Sequence, residues 1–82
     1  MFFVYILTDN QRSVYIGYTN DLQRRLDEHQ SGKVFTTKKM NNPRLYYFEA
    51  YVNEGMAKER EKKLKQFGSS YVGLMKRINL KK

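Results

Sequence analysis

Five side chains in this sequence have types and spacings that could carry chemistry: Tyr5, Tyr15, Arg25, His29 and Glu61. Arg25 lies ten positions after Tyr15, and His29 lies fourteen after it. The planar arginine fork can bond two oxygens of a phosphate at once. Histidine exchanges a proton near neutral pH. A tyrosine is a poor base at its free pKa of ~10, although a neighbouring cation favours its phenolate. Each residue also has an ordinary structural role. Tyr5 and Tyr15 could be strand aromatics packing a core. Arg25 could be one charge on a solvated helix face. His29 could sit exposed near a helix C-terminus, where positive charge is favourable. Glu61 could simply pair with Lys65, four residues on. The joint spacing favours a shared site.

The elements that would position these groups can be read from the chain. Phe2 to Leu7 is an apolar, β-branched and aromatic run that stops at Asp9-Asn10, as a buried strand does. Ser13 to Gly17 is a second such run, and the short turn-forming link between them predicts a β-hairpin. Thr19, Asn20 and Asp21 offer N-caps for a helix over about residues 20–30, with Asp21 suited to its first turn and Gly32 able to end it. Residues 31–44 show no period and read as a polar loop. Leu45 to Tyr51 is a third, aromatic-rich strand. Asn53 can cap a second helix running to about Gln66 and ended by Gly68. Ser69 or Ser70 can cap a third, in which Val72, Met75 and Ile78 recur every three residues, and Lys81-Lys82 reads as a frayed basic end. The order β-β-α-β-α-α predicts one α+β domain: a three-stranded antiparallel sheet packed with about three helices. Within it, Arg25 and His29, four apart, share a helix face, whereas Arg24 points elsewhere.

Phe3-Val4-Tyr5, Tyr15-Ile16-Gly17, Arg25, His29 and a glutamate in the basic segment Ala57-Lys58-Glu59-Arg60-Glu61-Lys62 together resemble the GIY-YIG nuclease superfamily. The resemblance runs from Phe3 to about Phe67 and is nearest to the small stand-alone members, related to the excision-repair nuclease N-terminal domain and phage homing endonuclease catalytic domains. It implies a metal-dependent endonuclease acting on nucleic acid, DNA before RNA, with weak sequence preference. It also implies roles. Tyr5 matches the tyrosine of GIY and Tyr15 that of YIG. Arg25 matches the arginine that holds the scissile phosphate, and His29 a histidine found in some branches. Glu61 matches the metal-ligating glutamate, which implies one Mg²⁺ or Mn²⁺. Phe3 stands where the motif has glycine, but the position is strand backbone. A late asparagine carried by some members has only Asn79 as a candidate here.

These residue types suit phosphodiester hydrolysis, which needs an activated water and charge stabilisation at phosphorus. Magnesium keeps several waters and often takes only one or two carboxylates, so a single Glu61 suffices. Tyr5 could orient a water by its hydroxyl, and either Tyr15 or His29 could serve as general base. A shared tyrosine site requires the first two strands to pair in a register whose residue numbers sum to an even value, such as Tyr5 opposite Tyr15 and Leu7 opposite Ser13. An odd sum would put the two hydroxyls on opposite sides of the sheet. Gly17 would permit a close approach or a bend at the strand end. Glu49 is a second carboxylate, but on a strand.

The 82 residues suffice for one domain, without cysteines to staple it. Sixteen Lys and Arg against eight Asp and Glu leave a net charge of +8, a field that favours a polyanion. Arg24, Thr36, Thr37, Lys38, Lys39, Lys58, Lys62 and Lys65 are candidate backbone contacts to nucleic acid. Tyr46, Tyr47 and Tyr51 could stack on bases, although core packing suits them better. No apolar run approaches membrane-spanning length and no basic signal segment opens the chain, so a cytoplasmic protein without a membrane role is expected. A partner protein or a homodimer could supply substrate recognition. The contrasting possibility is a catalytically silent binding module of the same fold.

Overall fold

Three strands and three helices follow one another in the order expected from the sequence. In this computed structural model, residues 1–35 and 37–80 are described. Strand β1 (Phe2–Thr8) pairs antiparallel with β2 (Val14–Thr19) on one side and β3 (Arg44–Tyr51) on the other, giving the sheet order β2-β1-β3. The hairpin link is fastened by Asp9. Its carboxylate accepts from the backbone N–H groups of Gln11 (3.0 Å), Ser13 (2.8 Å) and Asn41 (2.9 Å), tying the turn to the later loop.

The pleat sorts side chains between the two faces. Val4 and Ile6 of β1 and Ile16 of β2 meet Ala57, Leu64 and Leu74 in the main apolar core. The last three come from helices α2 (Glu54–Lys65) and α3 (Ser69–Arg77). Helix α1 (Leu22–Gln30) belongs to the opposite face, where Tyr5 and Leu7 point and where His29 is its buried residue.

Of the three N-cap candidates for α1, Asp21 takes the role; its carboxylate accepts from Arg24 N–H at 3.1 Å. Helix boundaries differ from expectation in two places. Phe67, not Gly68, takes the left-handed conformation (φ 56°) after α2, and Gly68 is the residue before α3. No side chain caps α3, so neither Ser69 nor Ser70 has the capping role. The buried side of α3 is formed by Leu74, with Tyr71, Met75 and Ile78 partly covered, while Val72 is 47% exposed. The period of three therefore missed the true stripe at 71, 74, 75 and 78, which has the i, i+3, i+4, i+7 spacing of a helix face. The expected basic end at Lys81-Lys82 lies outside the described residues.

Candidate active site

The even-sum pairing expected for a shared tyrosine site is present, displaced by one pair. Tyr5 lies opposite Gly17 and Leu7 opposite Tyr15, so the sums are 22 and not 20. The parity keeps Tyr5 and Tyr15 on one face. The displacement makes them diagonal neighbours, with ring centroids 6.2 Å apart. It also gives Gly17 its reason: the Tyr5 ring lies over the Gly17 backbone, and a Cβ there would overlap the Tyr5 hydroxyl and its ring carbon. Since β2 is an edge strand, this missing side chain brings the Tyr5 tip toward the sheet margin.

Helix α1 lowers two groups onto this face. His29, 1% exposed, packs edge-on to both tyrosines, with centroids 5.7 Å from Tyr5 and 5.0 Å from Tyr15. Its Nε2 is 2.8 Å from the Tyr5 hydroxyl and its Nδ1 is 2.6 Å from Thr37 Oγ1. Burial, and then the neighbouring Arg25 charge, push the His29 pKa below its ordinary value, outweighing the opposite pull of Glu28. His29 is therefore a buried, neutral imidazole with both nitrogens engaged, and not the exposed cation of the ordinary reading. Arg25, one turn earlier, is a third exposed and donates from Nη1 to Glu28 Oε1 at 3.0 Å. A guanidinium has five N–H donors, so this pair leaves others for a ligand.

The Tyr5 hydroxyl is pushed up to about 12, mainly by burial, with Arg25 opposing and the charges of Tyr15 and Glu61 adding to the rise. Tyr5 thus keeps its proton at neutral pH. Tyr15 is half-buried, and its hydroxyl has no hydrogen-bond partner among the described residues.

Glu61 approaches from α2. Ala57 and Leu64 are the buried residues of that helix, and Glu61 lies on the same side at i+4 and i−3 from them. Arg60 reaches Glu49 of β3, and the Glu61 charge acts on Tyr18 of β2 and Tyr5 of β1. The Glu61 carboxylate also pairs with Lys65 Nζ at 3.0 Å. The pairing of Glu61 along its helix is therefore present, and its charge also reaches the Tyr5 hydroxyl. Among the described residues, no group of three or more His, Asp or Glu side chains converges as a metal cage. A single hard carboxylate is still a fitting anchor for Mg²⁺ or Mn²⁺, which retain water in their remaining positions.

Beside Arg25 lies an open recess of about 280 Å³ lined by Tyr18, Thr19, Asn20, Arg24, Arg25 and Glu54. Arg24 is therefore next to the site. Lys38 and Lys39 are exposed on the loop after α1, with Lys38 Nζ 5.5 Å from the Phe35 ring centroid. Lys58 pairs with Glu54 at 3.7 Å, and Lys62 lines a surface recess with Lys58 and Lys63. Thr37 is a correction. It does not face nucleic acid; it is 1% exposed and bonded to His29. Its role had no sequence signal, because a loop residue eight positions from its partner falls on no helical or strand period. Thr36 lies outside the described residues. Glu49 is excluded as the site carboxylate by saturation: it accepts from Arg60 Nε (2.9 Å), Arg60 Nη2 (3.0 Å), Tyr47 (2.7 Å) and Tyr51 (2.6 Å). Those two tyrosines are thus packed as expected, and Tyr46 donates its hydroxyl to the Ile78 carbonyl at 2.8 Å.

Comparison with known proteins agrees with this geometry. Residues 1–79 match the model of the GIY-YIG catalytic domain. UPF0213 proteins of Vibrio campbellii and Oceanobacillus iheyensis are 38% and 35% identical over 64 and 65 residues, which are 77% and 78% of this chain. A UPF0213 protein of Bacillus pumilus is 39% identical over 64 residues. The match spans 62%, 76% and 65% of those three relatives' lengths, so it falls short of two thirds of the Vibrio and B. pumilus proteins. The solution structure of a UPF0213 protein from Bacillus halodurans superposes with a TM-score of 0.59 at 29% identity, covering 98% of this chain and 87% of that one. With the family model covering residues 1–79, the chain belongs to the GIY-YIG catalytic-domain family.

Proposed function

We propose that this protein is a metal-dependent endonuclease that hydrolyses phosphodiester bonds, in DNA before RNA, with weak sequence preference. The observation that carries the reading is the packing of Tyr5 and Tyr15 together on one face of the sheet, with the Arg25 and Glu61 charges both acting on Tyr5. Glu61 would hold one Mg²⁺ or Mn²⁺, which when bound supplies positive charge to the phosphoryl oxygens and acidifies water. Arg25, with Arg24 beside it at the recess, would hold the scissile phosphate. Tyr5, protonated and fixed by His29, would orient the attacking water. Tyr15 is favoured over His29 as the general base, because both imidazole nitrogens are engaged. The net charge of +8 would draw in the polyanion. A partner protein or a second copy would set the target.

The Glu61–Lys65 pair favours one other reading, a silent nucleic-acid-binding module in which lysine permanently replaces the metal. Incubating single-stranded, duplex, branched and flap DNA, and matching RNA, with Mg²⁺ or Mn²⁺ separates the two. The nuclease reading expects cleavage that chelation abolishes and that Glu61→Ala reduces by at least ~10²-fold. Binding without product, indifferent to Glu61→Ala, would replace it with the silent module. In either case, with ~4 phosphate contacts, log K should fall with log salt at a slope near −3 to −4 in a binding titration.

A further inference from the structure

Thr37 is a buried hydroxyl with a 2.6 Å bond to the ring of a buried histidine, and the site chemistry leaves it without a role. The charge beside that histidine favours one direction for its hydrogen bonds. Arg25 lies beside the Tyr5 oxygen, and a guanidinium can only donate. The guanidinium charge favours a Tyr5 oxygen lone pair turned toward Arg25 and the O–H turned toward His29 Nε2, 2.8 Å away. A neutral imidazole that accepts at Nε2 must carry its proton at Nδ1, where Thr37 Oγ1 is the partner. In this direction Tyr5 donates to His29 and His29 to Thr37, with the Arg25 charge beside the first member.

We propose that Thr37 is a positioning residue: by accepting from Nδ1 it holds His29 in the Nδ1–H tautomer, so that Nε2 holds the Tyr5 proton and fixes the Tyr5 oxygen toward Arg25 and the substrate phosphate. The charged and titratable groups facing His29 are Arg25 and Glu28 of α1, Tyr5 of β1 and Tyr15 of β2. Protonating Nε2 would turn the Tyr5 O–H away and place an imidazolium near Arg25. Losing the Thr37 acceptor would free the ring to take the opposite tautomer, with Nε2–H donating to the Tyr5 oxygen in competition with Arg25. The Thr37 link also pins the loop that carries Lys38 and Lys39 against the site. The proposal rests on the nuclease reading only for its consequence in cleavage; the tautomer itself does not depend on it.

His29 is the chain's single histidine, so the ¹⁵N resonances of one ring report the tautomer without ambiguity. The wild-type protein, free of metal and nucleic acid, should show a protonated Nδ1 and an unprotonated Nε2. Thr37→Val should move the ring toward the Nε2–H form, and Thr37→Ser should restore the wild-type pattern. In cleavage assays, Thr37→Val should lower kcat by roughly 10-fold or more, as for loss of a group that orients an acid–base catalyst, with KM little changed; Thr37→Ser should recover most of it. A wild-type ring protonated at Nε2 would overturn the proposal, as would a folded Thr37→Val protein with an unaltered tautomer. Should Thr37→Val not fold, the wild-type and Thr37→Ser spectra still decide. Absence of cleavage by wild type would sink the nuclease reading and leave the tautomer result standing.

Discussion

The two faces of the sheet are closed by different physics. On one, Val4, Ile6 and Ile16 meet Ala57, Leu64 and Leu74, an apolar interior that needs volume and shape but no orientation of donors. On the other, Tyr5, His29 and Thr37 are as thoroughly buried but are joined by hydrogen bonds of 2.8 and 2.6 Å. β1 contributes to both, alternating Val4 and Ile6 with Tyr5 and Leu7. The comparison teaches that burial does not distinguish a core from a site here; the chemical character of what is buried does. A buried polar chain costs stability unless every member is paired, and here it is fully paired. Such a chain fixes proton positions, which an apolar core cannot do.

The largest stability effect should come from the apolar face. Leu64→Ala removes a fully buried side chain and should cost about 2–5 kcal/mol in a urea titration, with activity per folded molecule retained. Gly17→Ala should be next and should affect both faces. The new methyl would overlap Tyr5, so the ring or the edge strand must move. A loss of about 1–3 kcal/mol by thermal melting, with loss of cleavage out of proportion to the unfolding, is expected. Equal losses of stability and activity would mean that Tyr5 is only packing.

The polar face should also carry a pH signature that the apolar face lacks. His29 has a folded pKa below its ordinary 6.5, so the unfolded chain binds more protons once the pH falls below that value. Its contribution is complete above about pH 6.5 and is lost progressively as the pH drops toward the lower folded value. Thermal stability should therefore decline as the pH falls below about 6.5, and His29→Gln should flatten that decline, whatever its own baseline cost. Cleavage should fall over the same range. A pH-independent wild-type melting temperature there would contradict a buried neutral imidazole.

Much of this division was readable from residue types. The runs Phe2–Leu7 and Ser13–Gly17 could only be strands, and alternation within them placed Tyr5 opposite in direction to Val4 and Ile6. The parity of the hairpin followed from asking that two tyrosines share a face. Its register did not, because sums of 20 and 22 leave every side chain on the same side; Gly17, which must lie beside the Tyr5 ring, selects the second. The capping residues of α1 and α2 carried local signals, and Asp21 and Asn53 cap as their types suggest. The start of α3 did not, since Gly68 supplies no side-chain bond and two serines followed it. Thr37 was the deepest omission. In an aperiodic loop, hydroxyl-bearing neighbours of Lys38-Lys39 suggest a surface; only the tertiary fold turns that residue toward His29.

The central claim is that the tyrosine–arginine face performs phosphodiester cleavage while the apolar face only supports it. Single-turnover cleavage in Mg²⁺, normalised to folded protein, for wild type, Arg25→Ala and Leu64→Ala tests this most directly. Wild type and Leu64→Ala should cut at comparable rates, and Arg25→Ala, although folded, should be slower by at least ~10²-fold. Cleavage by Arg25→Ala at the wild-type rate, or no cleavage by wild type on any substrate, would contradict it.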